Sequence, residues 1–195
     1  MSWSTPPTPM AMFTSNDQAV PDIALIVEGL QINAHKSYLS LISPVFKAMF
    51  EHPTRAAETG QVYITDFTSK TVKQAIDYLY GQALTDATHM EVFDIYRFVD
   101  KYDVDAARKI LVKCFEGPIT SDNFIINAVF AWIYSNETIM MNCANYIAPQ
   151  VVVVISTSNF LYLDVRLILE LLQQTIAIFA AKIRLAFPAL FNSNT

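Results

Sequence analysis

Four glycines in 195 residues are too few for the glycine-rich loops that cradle phosphates, and neither a G-x-S-x-G turn nor a Walker-type lysine accompanies them. Cysteine and histidine are scarcer still. Cys114 and Cys143 both lie downstream of His35, His52 and His89, and no H-x-x-x-H or C-x-x-C spacing occurs, which excludes a zinc finger. A formal net charge of -5, without a run of Lys or Arg, gives no footprint for a phosphate backbone, so nucleic-acid binding is not expected. Long apolar runs are missing too. Val151–Ile155 is five residues, and 167–191 is interrupted by Glu170, Gln173, Gln174, Lys182, Arg184 and Pro188, whereas a membrane span needs about 20 mostly apolar residues. No transmembrane helix is expected, and 167–191 reads instead as an amphipathic helix whose Ile168, Leu171, Leu172, Ile176 and Phe179 face a partner element, a reading favoured over a helix lying on a membrane surface. The start has no basic segment followed by an apolar one, so no secretory signal is expected and the site of action is cytoplasmic or nuclear. Both cysteines fall on apolar helical stripes and are expected as buried, unpaired thiols. This inventory argues against an enzyme and calls for no cofactor or metal.

What is present is apolar and patterned. Hydrophobic residues make up 53% and aromatics 12%, enough to bury a sizeable core over most of the chain. From Asp22, Ile23, Leu25 and Val27 alternate with Ala24 and Ile26, and the pattern resumes at Gln31–Ala34 after Glu28-Gly29-Leu30, which predicts a hairpin. After His35-Lys36 the spacing becomes helical through Leu39, Ile42, Phe46 and Met49, widened by Tyr38, Val45 and Phe50. Ser43-Pro44 divides it, because Ser caps a helix well and Pro at its first position loses no needed donor. The sequence thus predicts a hairpin followed by two short helices.

These residues resemble the BTB (POZ) domain family. Asp22, His35, Lys36, Leu39, Ser43, Pro44, Val45, Phe46, Met49 and Phe50 follow its pattern in order. Val62-Tyr63-Ile64-Thr65-Asp66-Phe67 resembles its next strand and exit, Tyr78-Leu79-Tyr80-Gly81 a helix end, and Asp100-Lys101-Tyr102 with Val104 a junction. The resemblance implies an α+β fold of the BTB/POZ type, a β-hairpin and small sheet flanked by helices, and beyond it an all-α region similar to the BACK region.

The expected divisions are a mobile N-terminal tail at 1–20, a BTB/POZ domain at 21–116 and a BACK-like region at 117–195, with Gly117-Pro118 as the punctuation. Within the domain, Ser69 is a candidate cap for a helix carrying Val72, Ala75, Ile76, Leu79 and Tyr80. Further helices carry Met90, Phe93, Phe98, Val99 and Tyr102, then Asp105 through Ile110, Leu111 and Cys114 to Phe115. Beyond 117, one stripe holds Phe124, Ile125, Ala128, Val129, Trp132 and Ile133, and the next holds Ile139, Met140, Cys143, Ala144 and Ile147. Asn123, Ala128, Tyr134, Cys143 and Ile147 carry the likeness to BACK. Val151–Ile155 suits a strand by propensity and a helix by that likeness, and the helix is favoured.

The resemblance also implies a function: bridging between proteins. Many BTB-BACK proteins bind cullin three and act as substrate adaptors of a ubiquitin ligase, supplying proximity rather than chemistry. In such adaptors the loop after the Met-Phe helix carries a hydrophobic-x-Glu motif. Here that loop is 51–58, with Thr54 at the hydrophobic position, Ala56 at the glutamate, and Glu58 two residues on. Phe50, His52, Thr54, Ala56, Glu58 and Tyr80 are therefore the candidate partner contacts. Asp22, His35 and Lys36 are the candidate charged pocket near the dimer interface, against a purely structural reading of the same three. Family dimers use an amphipathic helix before the first strand, but Met10, Met12, Phe13 and Val20 stand among prolines and polar residues, so a swapped dimer is not expected. No Kelch, zinc-finger or MATH-like substrate module is expected in the remaining residues. The alternative function is a non-cullin scaffold that pairs with itself or other BTB proteins, or competes with longer relatives.

Overall fold

In the computed structural model, residues 8–14, 20–52 and 54–186 are described. The chain divides into two compact units, 1–114 and 115–195.

The first unit opens with a short helix α1 (Pro9–Thr14), inside the stretch 1–20 expected as a mobile tail; residues 1–7 and 15–19 lie outside the described residues. Strands β1 (Ile23–Val27) and β2 (Leu30–Ala34) form the expected antiparallel hairpin, Val27 opposite Leu30. Its two-residue turn has Glu28 at φ 51° and Gly29 at φ 79°, the pair of positive values that a tight hairpin matching the strand twist needs. Strand β3 (Gln61–Ile64) adds parallel to β1, giving the order β2-β1-β3. β1 is central, and only Ile26 of its five residues escapes burial, because both faces are covered.

Helices α2 (Lys36–Ile42), α3 (Pro44–Glu51) and α4 (Arg55–Thr59) lie between β2 and β3. Ser43 caps α3 as expected, its Oγ accepting from the Phe46 N–H at 3.0 Å, with Pro44 at the first helical position. Helices α5 (Ser69–Leu79), α6 (His89–Lys101) and α7 (Asp105–Leu111) complete the unit, followed by a 3₁₀ turn at Val112–Cys114. Three expectations are corrected here. Thr68, not Ser69, caps α5, its hydroxyl accepting from the Thr71 N–H, while the Ser69 N–H is taken by Glu28. Met90 and Ile110, placed on inward stripes by their spacing, are exposed, since Val92, Phe93 and Ala107, Leu111 fill the inward positions. Cys114 is exposed and unpaired, whereas Cys143 is unpaired and buried as expected.

The second unit is helical: α8 (Phe124–Ile133), α9 (Glu137–Ile147), α10 (Val151–Ile155), α11 (Ser158–Leu161) and α12 (Val165–Ala186), with a 3₁₀ turn at Ala148–Gln150 before α10. Val151–Ile155 is the helix favoured above. All five residues expected on the α9 stripe are buried. In α8 the inward residues are instead Phe124, Ile126, Ala128, Phe130 and Ala131 with Asn127, and Ile133 is exposed. Nine of its ten residues are apolar, so spacing alone could not select a face. On α12 the buried row is Leu167, Leu171 and Thr175; Ile176 and Phe179, expected inward, are exposed. Spanning 22 residues against the 11 of α9, α12 outruns the helix that covers it by about 16 Å. The helical run 137–155 is 19 residues with a mean hydropathy of 1.5, long and apolar enough to cross a membrane, a stretch not among those weighed in the sequence. Its Ile139, Met140, Cys143, Ala144 and Ile147 are buried, and α9 packs against α8 and α12.

Candidate interaction face and the capping cluster beside it

The residues singled out in the sequence fall into two groups. The first is Asp22, His35, Lys36 and Tyr80. His35 precedes α2 without capping it through its side chain, so the first N–H groups of that helix need acceptors from elsewhere. Asp22 supplies one: its Oδ1 accepts from the Lys36 N–H at 2.7 Å, and its own N–H donates to the Ala34 carbonyl, fixing it beside the strand end. The Tyr80 hydroxyl supplies the other, accepting from the His35 N–H at 3.0 Å and lying 2.8 Å from His35 Nδ1. Tyr38 packs against Tyr80 with the rings tilted by 51° and 4.6 Å between centroids, and donates to the Leu79 carbonyl. The cluster thereby ties the hairpin exit to the start of α2 and the end of α5.

Two expectations change with this geometry. Tyr80 is 2% exposed, with its phenol pushed up to about 12 chiefly by burial, so it is a core residue and not a surface contact. The expected charged pocket rests on a main-chain N–H rather than an ion pair: among the described residues no salt bridge joins Lys36 to Asp22. A carboxylate at a helix start satisfies orphan donors and favours the helix dipole, so Asp22 does this work without the ammonium.

The second group lies on and after α3. Buried Ser43 donates its hydroxyl to the Tyr102 carbonyl and so anchors α3 to the end of α6. Phe46 lies flat on Tyr102, 4.3 Å between centroids, and Phe50 stacks half-buried on Phe46 at 5.9 Å. The segment after Phe50, expected as a loop, is partly helical. Thr54 caps α4, accepting from the Ala57 N–H at 3.2 Å and donating to the Met49 carbonyl at 2.5 Å, and Gly60 ends the helix at φ 68°. Thr54 is therefore occupied by the backbone on both sides rather than offered to a partner. Ala56 is half-buried, His52 and Glu58 are exposed, and Pro53 lies outside the described residues.

Around this segment the surface is shallow and apolar. A depression of about 570 Å³ is lined by Pro44, Val45, Ala48, Met49, His52, Thr54 and Asp103. A second, of about 770 Å³, shares Pro44 and Asp103 and extends past Leu41, Lys47 and Asp105. Leu41, 81% exposed, stands at its edge. Asp103 takes φ 50° after α6 and is held by Arg108, which also reaches Asp100 and Asp105 and has its guanidinium pKa raised chiefly by Asp100. Leu41, Val45 and Asp103 were not candidates in the sequence. Leu41 had a readable signal, since it falls off the Leu39-Ile42-Phe46 stripe. Among the described residues no group of three or more His, Cys, Asp or Glu is placed to hold a metal. What the face offers is apolar contact flanked by carboxylates.

Comparison with a family model agrees with the fold. The BTB/POZ domain model matches residues 12–117. The chain is 30% identical over 130 residues to TD and POZ domain-containing protein 2 of Mus musculus, covering 65% of this chain and 35% of that protein. It is 25% identical over 131 residues to a BTB/POZ domain-containing protein of Arabidopsis thaliana, covering 67% of this chain and 40% of that one. Of these curated relatives the chain thus spans two fifths of the length or less. Among solved structures, the BTB domain of human gigaxonin aligns at 16% identity and a TM-score of 0.43, covering 58% of this chain and 97% of that one.

Proposed function

The chain belongs to the BTB/POZ domain family and so carries a protein–protein interaction module, and we propose that it acts as an adaptor or regulator of a cullin three RING ubiquitin ligase, with a BACK-like second unit. The observation that carries this reading is the apolar depression of Val45, Ala48 and Met49, which sits beside the segment where the family resemblance places the cullin-contacting motif. Burial of two or three such side chains at the centre of an interface is the usual source of most of its energy. Thr54 and Ala56 lack the apolar anchor and the carboxylate of that motif, so affinity here comes from the α3 side of the depression.

The test is retention of the cullin three N-terminal region by the purified full chain, with Val45→Glu and Met49→Glu as variants. Both positions are half-buried and line the depression rather than the core, so a charge enters the contact, and the melting curve checks that the fold is retained. Binding lost in both with an unchanged melting curve supports the adaptor. A second reading, a scaffold for BTB partners that does not bind cullin, is favoured by the use of Thr54 as a helix cap. Retention of a BTB-containing partner but not of cullin three selects it.

A further inference from the structure

Helix α12 has two apolar sides, and only one is used within its own unit. Leu167, Leu171 and Thr175 turn inward, the Thr175 hydroxyl donating to the Leu171 carbonyl. About 120° away runs a second row: Val165, Leu169, Leu172, Ile176, Phe179 and Ile183, ending at Ala186. Its spacings are 4, 3, 4, 3, 4 and 3, a coiled-coil seam kept without a polar interruption along the whole helix. Except for half-buried Leu172, the large residues of the row stand 39–65% exposed. A surface helix that merely solvates its outer face does not repeat apolar residues at heptad spacing over three heptads.

We infer that this seam pairs with the same seam of a second copy of the chain, as a parallel two-stranded coiled coil. Two features identify the occupant. Steps of three then four place Leu169, Ile176 and Ile183 at the first core position of each heptad and Val165, Leu172, Phe179 and Ala186 at the second; Ile at two of the three first positions, with Leu172 among the second, fits the pairing of two parallel strands. The area also fits. Five side chains at about half exposure offer roughly 100 Å² each, so a symmetric pair buries about 1,000 Å², the size at which specific interfaces begin. Nothing in the row is charged, so a copy brought in register meets no unpaired charge. The inference is independent of the cullin reading and stands or falls without it.

Matched cysteine substitutions at two alanine positions read the register. In a full chain with Cys114→Ser, Ala186→Cys lies on the seam and Ala181→Cys on the opposite side of the helix. Under mild oxidation a parallel pair brings the two 186 positions within the roughly 7 Å that a disulfide spans, so Ala186→Cys forms a covalent dimer and Ala181→Cys does not. Sedimentation equilibrium of Ile176→Glu/Ile183→Glu in the otherwise natural chain is expected to show self-association weakened at least tenfold, with the thermal unfolding curve unchanged. The inference is overturned if the natural chain is monomeric at about 100 μM, if the two cysteine variants crosslink alike, or if Ala186→Cys fails to crosslink while self-association persists.

Discussion

Replacing Tyr80 by phenylalanine separates a residue that holds the fold from one that meets a partner. The change keeps the ring and its tilted contact with Tyr38 but removes the oxygen that accepts from the His35 N–H. That N–H belongs to the unsatisfied first turn of α2, and a half-buried donor left without an acceptor costs about 1–3 kcal/mol. Water reaching half-buried His35 relieves part of this, so about 1.5 kcal/mol is expected, which for a unit of roughly a hundred residues lowers Tm by about 6–12 °C. Differential scanning calorimetry of the full chain is the assay. An alkaline series adds a second readout. Tyr80 and Tyr102 titrate near 10 when unfolded and at about 12 in the fold, chiefly through burial. The folded state therefore holds those protons more tightly, and the contribution of the two groups to stability is fully present below pH 10 and lost as pH rises through about 12. Tyr80→Phe removes one of the two contributions, so its stability declines less steeply over that window. An unchanged Tm with weakened partner binding would refute the assignment of Tyr80 to the core.

Three further outcomes follow from single side chains. Thr54→Leu places an apolar group at the motif position but removes the α4 cap; Tm is expected to fall by the equivalent of about 1 kcal/mol while cullin affinity, read by interferometry, rises several-fold. With a thiol reagent, Cys114 reacts in the native protein and Cys143 only on unfolding, since burial pushes the Cys143 thiol up to about 12; two fast thiols would contradict the packing of α9. Glu91 is held at about 2 by Lys70, then by the Thr88 N–H and hydroxyl, against an ordinary 4.5. Its contribution is present above 4.5 and lost as pH falls through about 2, so Glu91→Gln should show a shallower acid decline than the natural chain in pH-dependent urea unfolding.

The parts of this fold legible in the sequence are those where local chemistry and burial agree. The Glu28-Gly29 turn, the Ser43-Pro44 helix start and the α9 stripe each carry a mechanism as well as a pattern, and each is found where expected. Legibility fails where a residue's role depends on a distant neighbour. Tyr80 looked available because its 45-residue separation from His35 hides the hydrogen bond that buries it. Lys36 suggested a charged pocket, but it is the backbone of that residue, not its ammonium, that Asp22 engages. Helix α4 was missed although Thr54 and Gly60 bracket it with an N-cap and a left-handed stop, because five residues are too short for a periodic signal. In α8 and α12 the apolar content exceeds one face, and only the neighbouring helices decide which side turns inward.

The most direct test of the interaction face is a binding isotherm of the full chain against the cullin three N-terminal region, natural and with Val45→Glu/Met49→Glu, each checked by its melting curve. A dissociation constant at or below about 10 μM, raised at least tenfold by the double substitution at constant Tm, is the predicted result. Binding that the double substitution leaves unchanged, or no binding at several times that concentration, would contradict the assignment of the α3 depression to cullin.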